Sequence, residues 1–105
     1  MNEADEEQAF VLLDAPEVFV CPLTHELLTD PVVAARGYSY QRNAFEEWVA
    51  QCCAKGLQLT SPKTGARMES HMFINHLLKH QVKGYIEARR EAWRQGRRPE
   101  LLLLE

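Results

Sequence analysis

Cysteine is scarce in this chain: three in 105 residues, two of them adjacent at Cys52-Cys53, which is a poor basis for a disulfide framework. That scarcity fits a reducing, intracellular setting, expected to be the cytoplasm or nucleus. No apolar run approaches the roughly 20 residues that a helix needs to cross a bilayer, and the acidic start lacks the basic region of a secretory leader, so no membrane role is expected. A cationic excess is missing too. Twelve Lys and Arg against fifteen Asp and Glu leave a net charge of −3, which argues against wholesale attraction to nucleic acid. Glycine and proline, five each, are too few for a low-complexity chain, and no internal repeat is visible. What remains is ordinary globular composition, 46% hydrophobic, enough for one small domain with a thin stability margin.

The informative stretch runs from Phe19 to Val49. Cys21-Pro22 and Asp30-Pro31 punctuate two turns, because proline fixes φ and holds the preceding residue extended. Val32-Val33-Ala34 and Tyr38-Ser39-Tyr40 are strand-like runs around Arg36-Gly37, which reads as a hairpin. Phe45, Trp48, Val49 and Cys52 then recur at helical spacing. This helix is expected to begin near Arg42 with Gln41 as a weak N-cap, its start stabilisation either missing or supplied by Ser39, and to stop at Lys55-Gly56. A turn rich in Thr60, Ser61 and Thr64 follows. Asn75 can cap a second helix whose Leu78, Val82, Tyr85, Ile86 and Trp93 share a face and which Gly96 and Pro99 end. Phe45, Leu27, Val32, Tyr40, Leu78 and Val82 are the expected core. The division is 1–15, an acidic segment with the apolar cluster Phe10 to Leu13; 16–90, the domain proper; and 91–105, a basic helix end with a leucine-rich tail. Residues 1 to 9 are expected to be mobile. The apolar cluster reads either as a strand or helical turn covering the domain's flank or as a docking segment for a partner.

The order Cys-Pro-Leu-Thr-x-Glu-Leu-Leu-x-Asp-Pro-Val, then Gly-Tyr-Ser-Tyr-x-Arg-x-Ala-Phe-Glu-Glu-Trp, closely resembles the U-box of ubiquitin ligases. The likeness continues more loosely through Ser61-Pro62-Lys63-Thr64 and Asn75-His76-Leu77-Leu78-Lys79, over roughly residues 16 to 90. It implies an α+β fold, a zinc-free relative of the RING domain: two loops, a short β-hairpin, a central α-helix and a C-terminal helix. The residues agree on the missing metal. A structural zinc site takes about four Cys or His ligands in close pairs. Here Cys21 stands alone, Cys52 and Cys53 are neighbours, and His76 with His80 lack a third ligand. Neither metal nor cofactor is expected. In its place, Asp30, Arg42, Ser61 and Thr64 are candidates for polar networks that hold the loops, against the plainer reading of solvated loop residues.

The resemblance implies that the chain binds a ubiquitin-conjugating enzyme in a shallow groove and promotes ubiquitin transfer to substrate lysines without a covalent intermediate. Carried over position by position, Leu23 and His25 from the first loop, Trp48 from the helix, and Pro62 and Lys63 from the second loop line that groove. Trp48 fits a core residue as well. No nucleophile is assigned: Cys53 has Lys55 nearby but no base. In the family a cation three residues after the second-loop proline often helps hold the loaded ubiquitin closed. Gly65 occupies that position, with Arg67 and Lys63 as possible substitutes, and this departure keeps open an adaptor without ligase activity. The arginines Arg89, Arg90, Arg94, Arg97 and Arg98 read as a solvated helix end. Partners are therefore the conjugating enzyme, ubiquitin and an unspecified substrate, with a homodimer as one way to work.

Overall fold

The computed structural model describes residues 2–96. In chain order it has α1 (Glu3–Leu12), a 3-10 turn (Glu17–Phe19), β1 (Pro31–Ala34), β2 (Ser39–Gln41), α2 (Arg42–Ala54), β3 (Met72–Ile74) and α3 (His76–Arg94). The strands form one antiparallel sheet in the order β2-β1-β3, an α+β arrangement consistent with the expected fold. The β1–β2 hairpin turns at Gly37, whose φ of 87° is open to glycine and whose N–H donates to the Ala34 carbonyl at 2.8 Å. Val32 stands opposite Tyr40 and Ile74, and the two-residue period buries Val32, Ala34 and Tyr40 on one face of the sheet. The third strand, Met72–Ile74, has no counterpart in the sequence reading: three apolar residues are too short a run to separate from a loop.

The start of α3 and the stop of α2 fall where local chemistry directs. The Asn75 side chain accepts from the Leu78 N–H at 3.1 Å and caps α3. Helix α2 ends on Lys55, and Gly56 follows at φ 66° with its N–H on the Cys53 carbonyl. At the N-terminus of α2 the structure has the first of the two expected alternatives, a missing cap. Gln41 makes no side-chain cap, and Ser39 does not supply one either: its hydroxyl accepts from the Asn75 side chain at 3.2 Å.

The core gathers Cys21, Leu28, Val32, Tyr40, Phe45 and Val82, with the Tyr40 and Phe45 rings stacked at 5.4 Å. Burying each large side chain contributes about 1.5–3 kcal/mol. Leu27 and Leu78, expected in the core, pack against its edge half-buried.

Helix α1 replaces the expected mobile segment. The Asn2 side chain accepts from the Asp5 N–H at 2.9 Å, and Glu3, Asp5 and Glu6 stand at the positive end of the helix dipole. Phe10 and Val11 are buried against α3. The Phe10 ring lies 5.3 Å from the Trp93 ring and beneath the Arg89 guanidinium at 4.0 Å. Arg89 also donates to the Phe10 and Leu13 carbonyls at 2.9 and 3.2 Å, satisfying the end of α1. Arg97, Arg98, Pro99 and Leu101 to Leu104 lie outside the described residues.

Candidate functional site

Two loops, residues 20–28 and 60–68, are built on one hydrogen-bond template. In the first, Cys21 N–H donates to the Glu26 carbonyl, His25 N–H to that of Cys21, and Leu28 N–H to that of Phe19, each at 2.8 Å. In the second, Ser61 N–H donates to Ala66 at 2.7 Å, Gly65 to Ser61 at 2.8 Å and Met68 to Leu59 at 3.1 Å. A threonine hydroxyl in each, Thr24 and Thr64, accepts from the N–H two residues on, at 3.3 and 3.2 Å. Even the left-handed position recurs: His25 at φ 59° and Gly65 at φ 77°. The repeat leaves only a faint mark in the sequence because most of the template is backbone. Between Cys-Pro-Leu-Thr-His-Glu and Ser-Pro-Lys-Thr-Gly-Ala only proline and threonine coincide.

A shallow cleft of about 290 Å³ opens between the loops, lined by Glu17, Pro22, His25, Pro62 and Lys63 among others. Three of the five sequence-derived groove residues, His25, Pro62 and Lys63, thus meet on one surface. Lys63 Nζ lies 3.9 Å from the Glu17 carboxylate and 5.9 Å from the centre of the Tyr38 ring. The other two do not line the cleft. Leu23 is half-buried against the core, and Trp48, also half-buried, donates its indole N–H to the Thr60 carbonyl at 2.8 Å, tying α2 to the start of the second loop.

The four polar candidates divide into two separate clusters. Asp30 and Arg42 meet at 3.2 Å with more than a third of each side chain exposed, a pair worth at most about 1 kcal/mol. The backbone adds the Arg42 N–H on the Asp30 carbonyl at 2.9 Å. Gln41, read in the sequence only as a poor cap, is the connecting residue here. Its side chain accepts from Asp30 N–H at 2.9 Å and donates to the Thr29 hydroxyl at 3.0 Å, while its own N–H reaches Cys21 Sγ at 3.3 Å. In the second loop Ser61 is buried, and its hydroxyl accepts from the Lys63 and Thr64 N–H groups at 3.2 Å with Tyr40 Oη at 3.5 Å. Ser61→Ala is expected to cost about 1–3 kcal/mol, because two backbone donors lose their acceptor. Urea unfolding measures it, and a loss below about 0.5 kcal/mol would show that water replaces the hydroxyl.

The family model for the U-box domain matches residues 15–91. The chain belongs to the U-box family. It is similar to a human WD repeat, SAM and U-box domain-containing protein 1, with 37% identity over 73 residues, 69% of this chain and 14% of that protein. The zebrafish protein of the same name is 40% identical over 65 residues, 61% of this chain and 12% of its own length. An Arabidopsis thaliana U-box domain-containing protein 54 is 34% identical over 87 residues, 82% of this chain and 25% of that protein. The chain thus spans a quarter or less of the length of these relatives. Members of the family are in general ubiquitin ligases.

In this U-box the described residues contain no group of three or more His, Cys, Asp or Glu side chains placed to hold a metal ion. EDTA is accordingly expected to leave the thermal transition unmoved; a large downward shift would mean that a bound ion contributes to folding. Among the described residues no helix is long and apolar enough to cross a membrane. Of the two cations near Gly65, Lys63 faces the U-box cleft, whereas Arg67 lines a different hollow and donates to the Gln58 side chain at 3.2 Å.

Proposed function

We propose that this U-box docks a ubiquitin-conjugating enzyme on the loop cleft and promotes transfer of its ubiquitin to substrate lysines, with no covalent intermediate on the U-box itself. One observation carries the reading: two loops of different sequence are held in the same backbone form and meet across a single cleft. Pro22 and Pro62 stiffen its walls, so little conformational entropy is lost when a partner docks. His25 and Lys63 supply polar and cationic contacts beside those apolar walls, the composition of a small interface with a few anchors. Trp48 and Ser61 support the second loop from behind. Cys53 is exposed on the last turn of α2, outside the cleft, and a docked enzyme brings its own thioester. The contribution of this chain is orientation of that thioester toward a lysine.

Gly65 favours a second reading, an adaptor that binds a conjugating enzyme without activating it, because glycine offers no donor to the transferred ubiquitin. An in vitro ubiquitination assay across a panel of conjugating enzymes, using the natural chain, His25→Ala and Pro62→Ala, decides between them. Chain formation that falls about tenfold or more in both variants, with unchanged circular dichroism, supports the ligase reading at this cleft. Full activity in both folded variants would move the docking surface elsewhere. Binding without activity across the panel would favour the adaptor.

A further inference from the structure

Away from the loop cleft, a second hollow of about 470 Å³ lies between the hairpin turn and the end of the second loop, where Arg36, Gln58, Arg67, Glu69 and His71 converge. Arg36 donates through Nε at 2.9 Å, and through a terminal nitrogen, to the Arg67 carbonyl. Arg67 donates one terminal nitrogen to the Gln58 side chain. Two guanidinium groups are therefore brought to one hollow with unused donors on each. Among the described residues neither has a carboxylate partner, whereas Arg42, Arg90 and Arg94 each have one. The one carboxylate of the hollow, Glu69, lies against His71 Nδ1 at 3.1 Å. Both cations line one hollow, and an anion bound there is attracted by each.

We propose that this hollow is an oxyanion site for a phosphate monoester, bound by the free edges of the Arg36 and Arg67 guanidiniums. Planar forks that present parallel N–H groups match the oxygens of a phosphate better than they match a halide. The ester has two sources of the same chemistry. One is a phosphorylated segment of a partner. The other is Ser70 of this chain, exposed and flanked by Glu69 and His71, both of which line the hollow. In that case a protein kinase moves the phosphoryl group from a nucleoside triphosphate. The bond to Ser70 Oγ forms, the bond to the departing diphosphate breaks, and the hydroxyl proton passes to the kinase's base.

The site is independent of the ligase reading and is tested by binding. The natural chain is titrated with phenyl phosphate at constant ionic strength, following the Nε–H resonances of Arg36 and Arg67. The proposal expects a saturable shift at both, at least tenfold weaker affinity in Arg67→Gln, whose side chain makes one exposed bond to Gln58, and tighter affinity in Glu69→Gln. Arg36→Lys, which keeps a donor for the Arg67 carbonyl but loses the fork, is expected to weaken binding similarly. The same chain carrying phosphoserine at position 70 separates the sources. Loss of phenyl phosphate binding, with both arginine resonances already shifted, assigns the ester to Ser70. Unchanged binding assigns it to a partner, and the site stands. Shifts that grow linearly without saturation, equal in the natural chain and in Arg67→Gln, would overturn the proposal.

Discussion

Gly65→Arg is expected to raise the rate of ubiquitin discharge from a conjugating enzyme by about tenfold or more, since a donor that holds the loaded ubiquitin in its reactive orientation is worth that much or more. The expectation rests on the proposed docking cleft. Gly65 stands at the tip of the second loop with φ 77°, and a Cβ built there meets nothing within 4 Å. Space is therefore not the obstacle. The backbone cost of a non-glycine residue in the left-handed region is about 1–2 kcal/mol, and His25 already bears it at the equivalent place in the first loop. The loop should keep its form, held by the Ser61 hydroxyl and the Gly65 N–H bond to the Ser61 carbonyl. Gly65→Ala controls for strain alone and should not raise the rate. Single-turnover discharge to free lysine reads the effect. Equal rates for Gly65→Arg and Gly65→Ala, both folded, would show that no cation acts from this position.

Trp93→Ala is expected to cost about 3–5 kcal/mol, a large part of the 5–15 kcal/mol that holds a domain of this kind together. Trp93 is 1% exposed and packs on Phe10, yet neither belongs to the central cluster of Cys21, Tyr40, Phe45 and Val82. Helix α1 also lies ahead of the stretch that matches the U-box model. The loss should therefore be local. Amides of α1 should exchange at nearly unfolded rates, while those of Cys21 and Ser61 in the loops stay protected. Phe45→Ala, which opens a hole beneath the Tyr40 ring in the central cluster, should release every amide together. Hydrogen exchange of the two variants separates the cases. If Trp93→Ala releases the loop amides as strongly as those of α1, then α1 and the U-box core are one cooperative unit.

Much of the fold was legible in the sequence because its signals act within a few residues. Gly37 at the hairpin, Asn75 ahead of α3 and Lys55-Gly56 after α2 each act through one turn of chain, and the structure has them in those roles. The candidate site was legible less completely. Composition marked both loops; of the five groove residues that the family pattern pointed to, His25, Pro62 and Lys63 line the cleft, Leu23 packs against the core and Trp48 donates to the Thr60 carbonyl of the second loop.

What the sequence by itself determined was the order of loop, hairpin and helix, the core positions Val32, Tyr40, Phe45 and Val82, and membership of the U-box family. Only the tertiary structure decided that residues 3–12 hold as a helix, because a short segment with a local cap at Asn2 is marginal alone and is fixed by docking Phe10 on Trp93 and Arg89. It also decided that Gln41 joins the first loop to the sheet, and that the two loops share one form. Those facts depend on bonds between groups far apart in the chain, or on backbone atoms that every residue carries, and neither leaves more than a faint mark in the order of side chains.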